Sequence, residues 1–319
     1  MNKGVHRFAL LVACATFFLI IAGALVTSHD AGLATADWPL TEGRFLPKVE
    51  SLGISSGVNM VGNLFWEHGH RMVATTVGLL TIGLAVFLFW KEKRSWVKKL
   101  GLVALAGVVA QGLLGGLTVK LMLPLVVSAA HATLAQLFFC TTVSLAVFTS
   151  SSWNQDRPLI EESRSLPLRY LCVAAAVAIF LQLIIGATLR HSATWDKPLP
   201  TDLLLTHIGG AVAVTLLLGS AALMILRRYG SEAFLARPAK IALSLLALQL
   251  LLGVAAYITR VASPNDPQPL NPMVGITVAH VACGASVFAT TIVLTLRAFK
   301  VLRPRASAFQ FAVGDAQEV

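Results

Sequence analysis

Residues 66–90 read WEHGHRMVATTVGLLTIGLAVFLFW, a polar opening followed by a long run without any charged residue. An α-helix rises about 1.5 Å per residue, so about 20 apolar residues are enough to cross the hydrocarbon core of a bilayer. This stretch therefore predicts a transmembrane helix, and the ionisable side chains at its start are expected near one membrane surface.

Long apolar stretches recur along the rest of the chain. Together with the first, the predicted spans are 8–27, 68–90, 100–119, 127–148, 170–190, 204–226, 240–259 and 274–296. The 319 residues are 56% hydrophobic and 13% charged, with a mean hydropathy of +0.76, which leaves too little polar surface for a water-soluble globule. We therefore expect an all-α integral membrane protein with eight transmembrane helices. The first span also resembles a signal peptide, but its apolar run is longer than such peptides carry.

The distribution of basic residues predicts the orientation of these helices. Most of the 25 Lys and Arg residues lie in the connections 91–99, 157–169, 227–240 and 297–305, which alternate with poorly basic connections. Cytoplasmic loops of membrane proteins carry such an excess, so both termini are expected in the cytoplasm. Topology thus explains the formal net charge of +10, and no nucleic-acid partner is expected.

An internal repeat divides the chain into two halves of four helices each. The motif QGLLG at 111–115 returns as QLLLG at 249–253. Because each half has an even number of helices, the halves share one orientation, and the repeat predicts two pseudo-symmetric four-helix bundles. The first bundle covers 1–150 with a long outer loop at 28–66, and the second covers 151–319 with a cytoplasmic tail.

Four histidines recur at one depth in these bundles. Each lies one to two turns inside the outer end of an even-numbered span, and together they are His70, His131, His207 and His280. An imidazole in hydrocarbon needs a hydrogen-bond partner or a metal, because unsatisfied ring nitrogens are costly there. Two histidines on facing helices can supply both axial ligands of a heme iron, which predicts one heme in each half. The alternative interpretation of each histidine is packing between helices with a hydrogen bond to a neighbour.

The two halves differ beside their first histidine. Glu67, His70 and Arg71 share one face of a helix, whereas no acid or base accompanies His207. This asymmetry predicts chemistry in the first half, with Glu67 as the catalytic carboxylate, and a carrier role for the second half. His68 points about 160° away from His70 and is expected as a solvent-side or propionate contact.

Three arginines are candidate contacts for heme propionates, because a guanidinium binds a carboxylate through two parallel hydrogen bonds. Arg71 lies beside the first-half histidine, and Arg190 and Arg260 end the fifth and seventh spans on the outer side. Snorkelling to lipid headgroups is the alternative interpretation of the last two arginines.

These residues belong to a larger set of motifs that covers nearly the whole chain except its tail. The motifs are Gly23-Ala24-Leu25-Val26-Thr27, Trp38-Pro39-Leu40, Gly43-Arg44-Phe45, Glu67-x-x-His70-Arg71, Gln111-x-Leu113-Leu114-Gly115 and Leu189-Arg190-His191. The set resembles the heme A synthase family, whose members mature the heme of terminal oxidases. The resemblance implies a protein of a bacterial-type plasma membrane, with heme sites towards the outer face.

The resemblance also implies a reaction and its cofactor. The substrate would be heme O, whose C8 methyl group is oxidised to a formyl group by two hydroxylations and loss of water, and a resident heme b would transfer electrons. By the asymmetry of the halves, heme O is assigned to His70 and His131. Heme b is assigned to His207 and His280. Candidate partners are the heme O-producing enzyme, an unidentified membrane electron donor and a second copy of the chain.

The chain departs from the family pattern at two places. Some members have a cysteine pair in the first outer loop, where this chain has Thr41 and either Ala34 or Thr35, so thiol chemistry is not expected in that loop. Some members also have Arg after the third histidine, where this chain has Ile208. Propionate binding at that histidine therefore needs another residue.

Two other functions stay open from the residues alone. A diheme membrane cytochrome that only carries electrons would need the same four histidines. A transporter would explain the repeat, with the histidines acting in a proton relay.

Overall fold

A computed structural model of the chain describes residues 2–35, 37–40, 43, 62–162, 167–193, 199–261 and 271–304. In these ranges eight helices are long and apolar enough to cross a membrane, which confirms the eight predicted spans. They are α1 (Lys3–Ser28), α2 (Asn63–Lys91), α3 (Ser95–Lys120), α4 (Leu125–Thr149), α6 (Leu168–Ser192), α7 (Thr201–Arg228), α8 (Ala233–Val261) and α9 (Asn271–Val301), while α5 is a single turn at Ser151–Asn154.

Each long helix extends beyond the span predicted for it. α2 begins at Asn63 rather than at residue 68, and α8 begins at Ala233 rather than at residue 240. Hydropathy marks only the part of a helix inside hydrocarbon, whereas the backbone continues helically into the interface, where Lys and Arg side chains reach water. The polar residues before Met72 therefore lie within α2.

The outer surface of the helices is apolar, as a lipid environment requires. Large side chains such as Phe18, Leu79, Trp90 and Leu251 are between 64% and 78% exposed. These helices satisfy their own backbone hydrogen bonds. An exposed apolar surface of this extent on such helices is typical of contact with lipid. The chain is an integral membrane protein.

Helix contacts follow a cyclic order in each half. In the first half α1 and α3 each contact α2 and α4, and in the second half α6 and α8 each contact α7 and α9. The two groups meet where α4 contacts α6 and α9, and where α1 contacts α9. A core that includes Ile20, Phe139 and Phe288 lies between the groups. Each helix thus lies beside two others of its own half.

The segment between the halves contains structure that the all-α prediction missed. Ile160–Glu162 forms β1, which pairs in parallel with β2 at Leu302–Pro304. β1 and β2 satisfy each other's backbone hydrogen-bonding groups beyond the ends of the helices. A hydropathy pattern does not reveal such a pairing. Glu162 Oε1 also accepts a hydrogen bond of 2.6 Å from the Leu168 backbone N–H, which fixes the start of α6. The predicted tail at 305–319 lies outside the described residues.

Arg94 joins the turn between α2 and α3 to the end of α4. Its guanidinium donates to both carboxylate oxygens of Glu92, to Asn154 Oδ1 at 2.8 Å and to the Phe148 carbonyl oxygen at 3.0 Å. The hydrogen bonds from Arg94 lower the pKa of Glu92 to about 2. The ends of three helices are thereby held together at the surface that carries the basic connections.

Arg94→Gln is expected to lower the stability of the purified protein, on the order of 1–3 kcal/mol, because it removes hydrogen bonds to a charged partner. The contribution of the Glu92 carboxylate is fully present above its ordinary pKa of 4.5 and is lost as the pH falls towards 2. The difference in unfolding temperature between variant and parent should therefore shrink in acid. Lys99→Gln, at an exposed lysine of α3, is the control, and equal unfolding temperatures for the two variants would contradict this role.

Candidate functional site

The four candidate histidines lie on α2, α4, α7 and α9, and each faces a glycine of the preceding long helix. The pairs are Gly23 with His70, Gly115 with His131, Gly186 with His207 and Gly253 with His280. A Cβ atom at these glycines would lie 3.2, 3.1, 3.0 and 3.1 Å, respectively, from Cε1 of the imidazole. Each imidazole thus lies directly against a helix backbone, where only a residue without a side chain leaves room for it.

The two histidines of the second half face each other. The ring centres of His207 and His280 are 6.4 Å apart, and the ring planes are inclined at 69°. Imidazole nitrogens bind metal ions such as zinc at about 2.0–2.1 Å, so this separation accommodates one metal ion bound by a nitrogen of each ring. His207 and His280 are therefore close enough that they would hold one heme iron between them.

Three of the histidines have a buried ring nitrogen without a hydrogen bond. Nδ1 of His70, His131 and His280 finds no partner among the described residues. Such an atom carries a free-energy cost that a bound ligand would remove. Within the same ranges, no group of three or more His, Cys, Asp or Glu side chains could hold a metal ion. Two histidines are enough to bind a metal ion whose other ligands come from a macrocycle, such as a heme iron.

A polar network surrounds the start of α2 in the first half. Glu67 is 4% exposed, and its Oε2 accepts a hydrogen bond of 2.9 Å from the Thr35 backbone N–H. Arg71 forms an ion pair with Glu67 Oε1. Arg71 also donates to the carbonyl oxygens of Asp37 at 3.0 Å and Leu40 at 2.7 Å. The two charged side chains therefore hold part of the first outer segment against α2.

Trp38 attaches the same outer segment to α3. A Cβ atom at Gly116 would lie 2.7 Å from the Trp38 ring, so the indole rests on the backbone of α3 next to Gly115. Together with the Glu67–Arg71 network, this contact fixes a cover at the end of the first half that carries His70 and His131. Residues 41, 42 and 44–61 of the predicted outer loop lie outside the described residues.

The structure contradicts the solvent-side alternative predicted for His68, while a propionate contact stays a prediction. It is 7% exposed and thus not a solvent-side residue. Helical spacing gives the direction of its side chain relative to His70 but not the elements that cover that direction. Because α2 contacts both α1 and α3, more than one face of its first turns is buried.

Arg190 and Arg260 lie in the last turns of α6 and α8, at the same end of the helices as the four histidines. Arg190 donates a hydrogen bond of 2.7 Å to Ser28 Oγ at the end of α1. This contact, which the sequence did not predict, links the two halves beside the histidines. An anionic group bound there would meet guanidinium groups that favour carboxylates.

Sequence reasoning missed one set of residues near the histidines. The repeat found at 111–115 and 249–253 has a third copy at 182–186, and the glutamine that opens each copy contacts a histidine residue. The spacing Gln-x-x-x-Gly was the available signal, because it places the amide and the glycine one turn apart on one helix face.

Eight membrane-spanning helices in the described ranges, with four glycine-backed histidines, define this protein as a membrane-embedded bundle with candidate heme ligands. The COX15-CtaA family, described as cytochrome oxidase assembly proteins, matches residues 6–195, which is more than half of the chain. The chain therefore belongs to this family of cytochrome oxidase assembly proteins.

Individual relatives carry a more specific name. The heme A synthase of Shouchella clausii is 24% identical over 281 residues, which cover 81% of this chain and 88% of that protein. The heme A synthase of Geobacillus kaustophilus is 23% identical over 336 residues, with 99% and 98% covered. That of Beijerinckia indica is 38% identical over 164 residues, which cover 49% and 43%. The resemblance to heme A synthases expected from the motifs is confirmed.

Gly253→Ala is expected to displace the His280 imidazole, because the added Cβ would lie 3.1 Å from Cε1. The affinity of the His207–His280 site for heme should fall by about tenfold or more, as when the support of a metal ligand is removed. The measurement is the heme-to-protein ratio of the purified protein. Gly275→Ala on α9 is the matched control, since nothing lies within 4 Å of its added Cβ. Equal heme contents in the two variants would contradict this placement of His280.

Proposed function

We propose that the chain is a heme A synthase, which binds heme O and oxidises its C8 methyl group to a formyl group. Membership of a family of cytochrome oxidase assembly proteins and relatives named heme A synthase support this proposal. The observation that carries it is the set of four glycine-backed histidines, which provides two pairs of imidazole donors at one end of the bundle.

In the proposed reaction each of two successive hydroxylations adds an oxygen atom from water to the methyl carbon and passes two electrons to an external oxidant. The resulting geminal diol loses one water to give the formyl group. Oxidation of the methyl group builds positive charge on its carbon and releases protons. A nearby carboxylate can stabilise that charge and accept a proton. Glu67 is the proposed carboxylate, because it is buried one turn before His70. Arg71 and the Thr35 N–H hold its two oxygens in place. The proposed heme b, when bound, supplies electron transfer.

In the proposal one half binds the substrate heme and the other half binds the cofactor heme. Heme O is assigned to His70 and His131, and heme b to the pair in the second half, His207 and His280. The ion pairs of the described residues include one beside His70 and none beside His207, which supports chemistry in the first half. Arg71, Arg190 and Arg260 are the proposed contacts of the heme propionates, and the position of Arg190 between the halves suits that role.

The proposed architecture rests on features that recur in both halves of the chain. Two pseudo-symmetric four-helix bundles, 1–150 and 151–319, are supported by the matching cyclic contacts of the two halves and by the recurrence of one glycine–histidine contact in all four helix pairs. The basic connections place both termini in the cytoplasm and the heme sites towards the outer face of a bacterial-type plasma membrane. The proposed partners are heme O, the enzyme that produces it and a membrane electron donor.

Production of heme A is the direct test of this function. The chain is expressed in a host that also contains a heme O-producing enzyme, and the extracted hemes are identified by mass. We expect a product in which one methyl group of heme O has become a formyl group. Extraction of only heme O and heme b would instead indicate a diheme electron carrier, and a colourless purified protein would indicate a transporter.

Glu67→Gln is expected to keep both hemes but to lower heme A formation by about 100-fold or more, because glutamine keeps the size and hydrogen-bonding reach while removing the charge. The measurement is the ratio of heme A to heme O at matched protein level. Glu161→Gln, at an exposed glutamate of β1, is the control and should leave the ratio unchanged. A near-parental ratio for Glu67→Gln would remove this residue from the mechanism, and loss of both hemes would make it structural.

Reporter fusions test the proposed orientation. Fusions after residues 45 and 198 should report the outer side, and fusions after residues 95, 158 and 232 the cytoplasm, as the basic connections require. A cytoplasmic signal from the fusion after residue 198 would contradict the orientation and separate the paired histidines.

A further inference from the structure

Three of the four glycine–histidine pairs are accompanied by a glutamine. Gln111, Gln182 and Gln249 each lie four residues before the glycine that faces the histidine, and hence one turn away on the same helix face. The fourth pair, on α1 and α2, has Leu19 at the equivalent position. The recurrence of one polar residue within apolar helices needs a cause, because an amide in hydrocarbon must be hydrogen-bonded.

Two of these glutamines bond the backbone of the histidine residue itself. Nε2 of Gln111 donates to the His131 carbonyl oxygen at 2.8 Å. Nε2 of Gln182 donates to the His207 carbonyl oxygen at 2.7 Å and lies 3.0 Å from Nδ1 of the same imidazole. Each amide therefore ties its own helix to the neighbouring helix at the residue that carries the imidazole.

The third glutamine contacts the imidazole ring directly. Nε2 of Gln249 lies 3.2 Å from Nε2 of His280. Glycines on the histidine-bearing helices make room for the amides: a Cβ at Gly284 would lie 3.2 Å from Gln249 Nε2, and a Cβ at Gly210 would overlap Gln182 Oε1. The helix surfaces are thus shaped around these side chains.

The three amides also have unused bonding capacity. Oε1 of Gln111, Gln182 and Gln249 is buried and has no hydrogen-bond partner among the described residues. A metal-bound imidazole donates its other ring N–H to an acceptor of this kind, which fixes the orientation of the ring. Rotation of the Gln249 amide by half a turn exchanges its oxygen and nitrogen, and so presents the oxygen to the ring. The amides of Gln111 and Gln182 are instead oriented by their hydrogen bonds to histidine carbonyl oxygens.

We propose that these three glutamines are positioning residues, which fix the imidazoles of three of the four heme-ligating histidines. His70, on the helix paired with α1 and Leu19, has no such amide among the described residues and is the ligand held least firmly. The inference rests on the proposed function and deepens it. A substrate heme must enter and a product heme must leave, so exchange is expected in the half with the unsupported histidine, while the heme between His207 and His280 stays resident.

The first test uses Gln182→Met and Gln249→Met, made separately, since methionine keeps length and removes the hydrogen bonds. In purified holoprotein, transfer of the resident heme to apomyoglobin should be about 10- to 100-fold faster than in the parent. The electron paramagnetic resonance g-values of the low-spin ferric heme should also shift, because ring orientation changes, whereas a merely structural defect would lower only the yield. Gln136→Met, at a buried glutamine of α4 that contacts no histidine side chain among the described residues, is the matched control and should behave like the parent.

The second test adds the missing amide. Leu19→Gln, purified after co-expression with a heme O-producing enzyme, should lose its first-half heme more slowly than the parent. Parental transfer rates and g-values in both methionine variants, or an unchanged rate in Leu19→Gln, would overturn the inference while leaving the proposed function intact. A heme-free parent protein would overturn the proposed function as well.

Discussion

An imidazole inside a bilayer has no water to bond, and the arrangement of the helices follows from the need to satisfy it. Hydroxyl groups meet the same constraint locally, because Thr16, Thr81 and Thr291 each donate to the carbonyl oxygen four residues earlier on their own helix. A histidine ring reaches further and needs a neighbouring helix or a ligand. The four facing glycines provide the space, since each lets an imidazole lie on the backbone of the adjacent helix.

A buried ion pair beside a candidate histidine distinguishes the first half from the second. A buried ion pair is stable only if its remaining hydrogen-bonding groups are also satisfied. Glu67 and Arg71 meet this condition through backbone groups of the first outer segment, which in turn is held in place by them. The cover and the charged pair are therefore one structural unit. This unit gives the proposed reaction a positioned carboxylate in a site shielded from water.

Hydropathy and motif spacing were sufficient to predict the eight helices and the family, and both predictions are confirmed. Contacts between distant segments could not be predicted, because they depend on which helices lie side by side. The pairing of β1 with β2, the bonds of Arg71 to Leu40 and the burial of His68 are of this kind. The assignment of a heme to each histidine pair stays a prediction, because the sequence around a histidine pair does not identify the ligand that the pair binds.

We propose that the two halves bind heme for different purposes, with the resident heme b in the second half. The most direct measurement is the reduced-minus-oxidised absorption spectrum of purified His207→Ala and His280→Ala variants, compared with the parent. We expect loss of the low-spin b-type spectrum in each variant, because each substitution removes one of the two proposed heme ligands. Full and unshifted heme b spectra in both variants would contradict it.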